Sequence, residues 1–268
     1  PKNLPKIAWF NSNEVSGARE YLKYTKDWKF NSTFPKRVIK ELRRGYYSSI
    51  TYIDNLFGKI LQELEDLGLA NNTIVSFIGD HGYHLGEHSI VGKNTNFDIA
   101  NNSPMMIHVP GVTDNGRVTD KLVEFVDIFP TLVELAGFRS LPTCPRHNKN
   151  RTVELCTEGS SVAPLIFDRD IQWKDRVFYQ YPRYSGLDED YWMGFSMRTD
   201  KYRYTEWVKY KYDRFGLIDW NITCGTELYD HDKDPHEMIN IAGEADIREV
   251  QNDLSAKLRM GWYDALPS

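Results

Sequence analysis

From Pro35 onward the apolar residues Ile39, Leu42, Tyr46, Ile50, Ile53, Phe57, Ile60, Leu64 and Leu67 recur at alternating steps of three and four. A helix with 3.6 residues per turn brings such positions onto one face, so the stripe predicts a long amphipathic helix. Pro35 suits its first turn and Gly68 its stop. The stripe reads as core. Directly after it, Ile74-Val75-Ser76-Phe77-Ile78 reads as a buried strand. A helix feeding straight into a strand is the order of a layered α/β domain. A second strand is expected at Met105 to Val109, and a helix from about Val126 to Leu135, stopped by Gly137.

The strand at 74–78 delivers the most reactive stretch of the chain, Gly79-Asp80-His81-Gly82-Tyr83-His84-Leu85-Gly86-Glu87-His88, followed by Gly92-Lys93 and Thr95-Asn96-Phe97-Asp98. Ligand sites in open α/β sheets gather at the carboxyl ends of strands. A carboxylate beside an imidazole there can bind a divalent cation, and glycines let the backbone turn sharply around it. Lys93 can return to the same pocket, where its charge suits an anionic substrate. Taken in isolation, Asp80-His81 would read as a helix cap and a core histidine, and Lys93 as solvated surface.

The whole run resembles the metal-binding segment of the type I sulfatases of the alkaline phosphatase superfamily. Matches continue in order through Pro104-Met105-Met106-Ile107-His108-Val109-Pro110-Gly111, Val126-Asp127-Ile128-Phe129-Pro130-Thr131-Leu132 and Met197-Arg198-Thr199-Asp200-Lys201-Tyr202-Arg203-Tyr204. Glu227-Leu228-Tyr229-Asp230-His231-Asp232-Lys233-Asp234-Pro235 is similar to the closing signature of the family. The resemblance covers nearly all of the chain and only the C-terminal portion of the family. It implies hydrolysis of the sulfate ester of a sulfated sugar, such as a glycosaminoglycan iduronate 2-sulfate. It also implies Asp80 and His81 as ligands of Ca2+, although calcium prefers oxygen donors and many arylsulfatases carry asparagine at the place of His81. Lys93 is implied as the sulfate contact. His84 and His88 are candidates for the substrate mouth, His88 alternatively for a hydrogen bond that steadies the loop; Tyr83 is a candidate to stack on a sugar, and Arg183 to meet a substrate carboxylate or second sulfate.

Sulfatases carry their nucleophile, a formylglycine made from cysteine, in a Cys-x-Pro-x-Arg motif. Cys144, Cys156 and Cys224 do not supply it, and Thr143-Cys144-Pro145-Arg146 has the wrong spacing. The expectation is therefore a partner, an N-terminal sulfatase fragment or chain that bears the nucleophile. Another sulfatase or a phosphodiesterase on the same fold is the alternative enzyme. A glycan-binding or structural pseudo-sulfatase is the non-catalytic one.

Composition excludes other classes. With 41% hydrophobic and 26% charged residues the chain has enough apolar material for a core. A net charge of −5 offers no general attraction to nucleic acid. No run of eighteen apolar residues exists to span a membrane. Asn31, Asn71, Asn101, Asn150 and Asn221 each open an N-glycosylation sequon, which points to a secreted or lysosomal location. Cys144 and Cys156 bracket a polar loop and read either as reduced thiols or as a disulfide, and the resemblance favours the disulfide; Cys224 is then free or bonded elsewhere.

After Cys156 the texture becomes aromatic and β-favouring, in Val177 to Tyr181, Trp192 to Met197 and Tyr202 to Val208. These segments predict a small antiparallel sheet. Val250, Leu254, Leu258 and Trp262 mark a final helix from about Ile247. The fold class expected is thus α/β: residues 1–167 the C-terminal part of an alkaline-phosphatase-like layered domain, and 168–268 a subdomain of antiparallel sheet and terminal helix. The segment from Pro1 to Pro35 is irregular and aromatic, as though it lay across another part of the protein.

Overall fold

The computed structural model describes residues 2–8, 33–146, 155–184, 191–211 and 217–267. Most of the aromatic segment before Pro35, and the sequons at Asn31 and Asn150, lie outside the described residues. Backbone contacts divide the chain into two units, Trp9–Val112 and Thr113–Ser268 together with Pro1–Ala8.

In the first unit the apolar period becomes helix α1, Lys36–Asp66. Pro35 is its N-cap, with the extended ψ of 140° that a proline accepts ahead of a first turn. At the other end Gly68 takes φ +68°, the left-handed conformation that closes helices at little cost to glycine. The buried packing of α1 is at its first turns, where Phe34, Val38 and Val91 form a cluster with Ile39, Leu42 and Tyr83 against it, and farther on Phe57 meets the Phe77 ring at 5.0 Å. Elsewhere on the stripe, Ile50, Ile53 and Ile60 are 52%, 54% and 61% exposed. The expectation that the whole stripe is core is corrected. Amphipathicity shows that a face needs apolar cover, and this unit covers only part of it.

Strand β1, Val75–Ile78, pairs antiparallel with the strand expected near Met105, here called β4 and spanning Met105–His108. Between them lie the two-residue strands β2, His84–Leu85, and β3, Val91–Gly92, which form a hairpin, and the single turn of α2, Asp98–Asn101. The segment expected to be a buried strand is half-buried, and Ile78 is exposed. Among the described residues β1 has one neighbouring strand, which leaves its other edge without a ladder partner.

In the second unit a 3-10 turn at Phe125–Asp127 leads into α3, Ile128–Leu135, with Gly137 following as the stop. Cys144 and Cys156 are joined as a disulfide, flanked by the bridge between Thr143 and Thr157. Cys224 is free and exposed. After the short helix α4, Ala163–Phe167, come four antiparallel strands in sequential order: β5 Arg176–Tyr184, β6 Tyr191–Thr199, β7 Tyr202–Lys211 and β8 Leu217–Asp230. Helix α5, Arg248–Met260, lays Leu254 and Leu258 against Met197, Tyr204 and Leu228. The four-residue apolar steps read from the sequence are the reason. Strand β8 was not anticipated because Asp219, Asn221 and Gly225 interrupt its alternation, and register shifts around Val208 keep it paired with β7.

Buried charge organises this unit. The Lys174 ammonium donates to Asp127 at 2.7 and 2.9 Å and to Glu124 at 2.8 Å. Asp127 also accepts from the Ser160 and Glu124 amides, and Glu124 from the Phe178 amide. One cation thus ties the start of α3 to the loop before α4 and to β5. Asp127, part of a motif matched in the sequence, is fully buried. Removing one member of such a cluster strands the others in low dielectric. Lys174→Met should lower stability by about 3 kcal/mol or more in denaturant-induced unfolding.

Candidate active site around Asp80, His81 and Lys93

The loop after β1 is stitched to the segment before β4. The Gly79 amide donates to the Pro104 carbonyl at 2.9 Å, the Ser103 hydroxyl donates to the Gly79 carbonyl at 2.6 Å, and the Gly82 amide donates to the Ala100 carbonyl at 2.9 Å. Pairing therefore continues past the end of the strand, and Asp80 and His81 are held on its rim. A Cβ on Gly82 would lie 2.0 Å from the Ile99 carbonyl oxygen, a backbone atom that cannot swing aside. Only glycine fits that approach.

The carbonyl of Gly82 accepts from His81 Nδ1 at 2.8 Å. A carbonyl can only accept, so the proton of neutral His81 sits on Nδ1 and Nε2 is left as an acceptor. Asp80 Oδ2 lies 3.2 Å from Nε2. From twelve residues away the Lys93 ammonium donates to the same Nε2. The three candidates converge: Asp80 and Lys93 are exposed and His81 is partly so. This is a cationic donor on an imidazole and beside a carboxylate, in reach of solvent. A backbone carbonyl that orients an imidazole through its other nitrogen is the usual support for a metal-binding histidine. Among the described residues no group of three or more His, Cys, Asp or Glu is gathered to hold a metal. Asp80 and His81 can thus contribute two ligands.

The other candidates are placed differently. Tyr83 stacks on Tyr46 of α1, with ring centres 5.3 Å apart, and burial followed by the nearby Tyr46 raises its phenol above the ordinary value. His84 is fully buried, with Nε2 2.9 Å from the Thr95 hydroxyl. His88 stacks on Phe97 at 4.0 Å and adopts φ +56°. Burial favours a framework role for His84 over a substrate contact. Arg183, buried on β5 with its guanidinium over the Tyr181 ring, belongs to the other unit.

Several supporting residues were not singled out from the sequence. Arg43 of α1 donates to the Leu85 carbonyl and to Glu87, while Glu87 accepts the Leu85 amide, which anchors the hairpin. Asn101 donates to the carbonyls of Thr95 and Phe97. Asn101-Asn102-Ser103 was legible as a sequon, yet both its amide and its hydroxyl are used within the loop. Asn71 and Asn221 are exposed. No local pattern marks such contacts, because each joins residues whose partner is set by the fold.

The family model described as "Sulfatase" matches residues 11–138, and that described as "N-sulphoglucosamine sulphohydrolase, C-terminal" matches residues 86–261. The iduronate 2-sulfatase of Mus musculus is 34% identical over 254 residues, covering 79% of this chain and 46% of that protein. The chain thus spans about half the length of the curated relatives it matches. A structure solved in complex with its substrate D-glucosamine-2-N,6-O-disulfate superposes with a TM-score of 0.64 at 23% identity, over 93% of this chain and 47% of the other. A phosphonate monoester hydrolase of Agrobacterium radiobacter gives a TM-score of 0.64 at 23% identity, over 87% and 42%. At those identities the two structures share the fold.

Gly82→Ala should lower stability by about 1–3 kcal/mol, because the overlap is with backbone. Gly45→Ala, on the exposed middle of α1 with nothing within 4 Å, should raise it by about 0.5–1 kcal/mol. Denaturant unfolding of both variants checks the contrast.

Proposed function

The chain belongs to the sulfatase family, and from that premise we propose that it forms the C-terminal part of an enzyme that hydrolyses sulfate esters of sulfated sugars. The substrate class is a glycosaminoglycan bearing iduronate 2-sulfate, supported by the identity to the mouse iduronate 2-sulfatase. The observation that carries the reading is the convergence of Lys93 on His81 beside Asp80.

In this reading Asp80 and His81 would hold Ca2+, with His81 Nε2 released from the Lys93 ammonium, and the ion would supply positive charge that offsets a sulfate oxygen. Gly82 keeps the His81 ring turned so that Nε2 faces the site. The Lys93 ammonium donates to the sulfate where charge grows as the ester is attacked, an interaction that strengthens in the transition state. The remaining ligands and the formylglycine come from an N-terminal sulfatase part. The exposed apolar residues of α1 and the open edge of β1 supply the surface for it. The disulfide suits an oxidising compartment, consistent with a lysosomal or secreted protein. No helix among the described residues is long and apolar enough to cross a membrane. Within this scheme 168–268 is a C-terminal subdomain.

Two substitutions in the full-length protein separate binding from chemistry. Asp80→Asn should weaken calcium, with turnover of a sulfated uronic acid recovering in part as calcium is raised. Lys93→Ala should cost ~100-fold or more in rate with no such recovery. Near-normal turnover by Lys93→Ala would overturn the assignment. A preference for a phosphodiester over the sulfate ester would favour the phosphodiesterase reading.

A further inference from the structure

An exposed lysine side chain is costly to hold in one place, since it carries roughly 2 kcal/mol of rotamer entropy. The ammonium of Lys93 nevertheless meets His81, so its backbone must be fixed from below. Two attachments bracket it, and both lead to His84. Before Lys93, Gly92 is the ladder partner of His84 across the β2–β3 hairpin. After it, the Thr95 hydroxyl lies 2.9 Å from His84 Nε2. Thr95 is 3% exposed and His84 is 0% exposed, so the bond is shielded from competing water.

Thr95 joins this clamp to the turn itself. Its amide donates to the Lys93 carbonyl at 2.8 Å, closing a tight turn over residues 93–95. Its carbonyl accepts from the Asn101 amide and its hydroxyl accepts from the Phe97 amide. The orientation of Lys93 is therefore set by a turn whose far end is fastened to the same residue that pairs with its near end. We propose that Thr95 and His84 are positioning residues for Lys93, their buried hydrogen bond fixing the turn that presents the ammonium to His81. Neither residue touches the reacting atoms; each acts through Lys93. The inference rests on the proposed role of Lys93 in sulfate ester hydrolysis.

The test uses the full-length protein with Thr95→Val, which removes the hydroxyl at similar volume, and Thr95→Ser, which keeps it. Thr95→Val should lower kcat roughly 10- to 100-fold, the scale of a small misplacement of a contact group, while Thr95→Ser restores it. In a Lys93→Ala background Thr95→Val should add little, because the group it positions is gone. Competitive acetylation read by peptide mass should show Lys93 more reactive in Thr95→Val and unchanged in Thr95→Ser. Should Thr95→Val not fold, Thr95→Ala takes its place in each measurement. Losses that multiply in the double variant, or unchanged Lys93 reactivity in the Val or Ala variant, would overturn the positioning role. If the unsubstituted protein hydrolyses no sulfate ester, the functional reading fails on its own and the acetylation pattern decides the positioning role.

Discussion

The site depends on hydrogen bonds that continue beyond the last residue of a strand. β1 ends at Ile78, yet Gly79 and Gly82 go on pairing with the segment that leads into β4. A backbone amide left unpaired at a strand end would have to find water, so the continuation fixes a loop that would otherwise be mobile. It also explains why Gly82 must be glycine, since the segment carrying Ile99 passes too close for any side chain. His81 inherits its orientation from this contact, because the carbonyl it donates to is that of Gly82.

The same logic, with charge in place of backbone, governs the C-terminal unit. Arg203 is fully buried on β7, donating to Glu237 at 2.6 Å and to Glu227 at 3.3 Å and lying over the Tyr229 ring. Glu227 accepts in addition from Trp207 and Tyr229, and Glu237 meets His231. The nearby carboxylates outweigh the penalty of burial and keep the Arg203 guanidinium charged. On the face that packs against α5, Glu206 accepts from Tyr204, Ser255 and Arg259. Such networks bring little net stability compared with apolar packing, but a half-satisfied version is costly, which selects one arrangement of strands and helix. Several residues matched to the family in sequence, Arg203, Tyr204, Glu227 and Tyr229 among them, are members of these networks.

Asn240 shows how the first residues of the chain enter that framework. Its side chain accepts the Leu228 and Ala242 amides and donates to the carbonyls of Thr226 and Asn3. Lys2 pairs with Ile239, and Pro5 lies over Gly225, where a Cβ would come within 2.6 Å of it. The irregular opening of the chain is thus ordered, over residues 2–8, by a buried amide of the C-terminal unit. Ile50, Ile53 and Ile60 on the α1 stripe, by contrast, are exposed among the described residues.

What the sequence determined by itself is local: the helix over 36–66, the strands near 75 and 105, the terminal helix, and the segment that carries Asp80, His81 and Lys93. Each follows from periodicity or from a run of residue types that chemistry links within a dozen positions. Tertiary structure decided the rest. His84 and Lys93 look equally available in the sequence, but His84 on β2 is sealed against His88 and Phe97, while Lys93, just past β3, stands exposed. The apolar period of α1 cannot say which of its turns find a partner. Asn101-Ser103 carries the pattern of a sequon and is used as a brace, since a hydrogen bond to the Gly79 carbonyl depends on where β4 returns. Burial and long-range pairing belong to the packed chain, and a linear pattern contains the donors and acceptors without the distances between them.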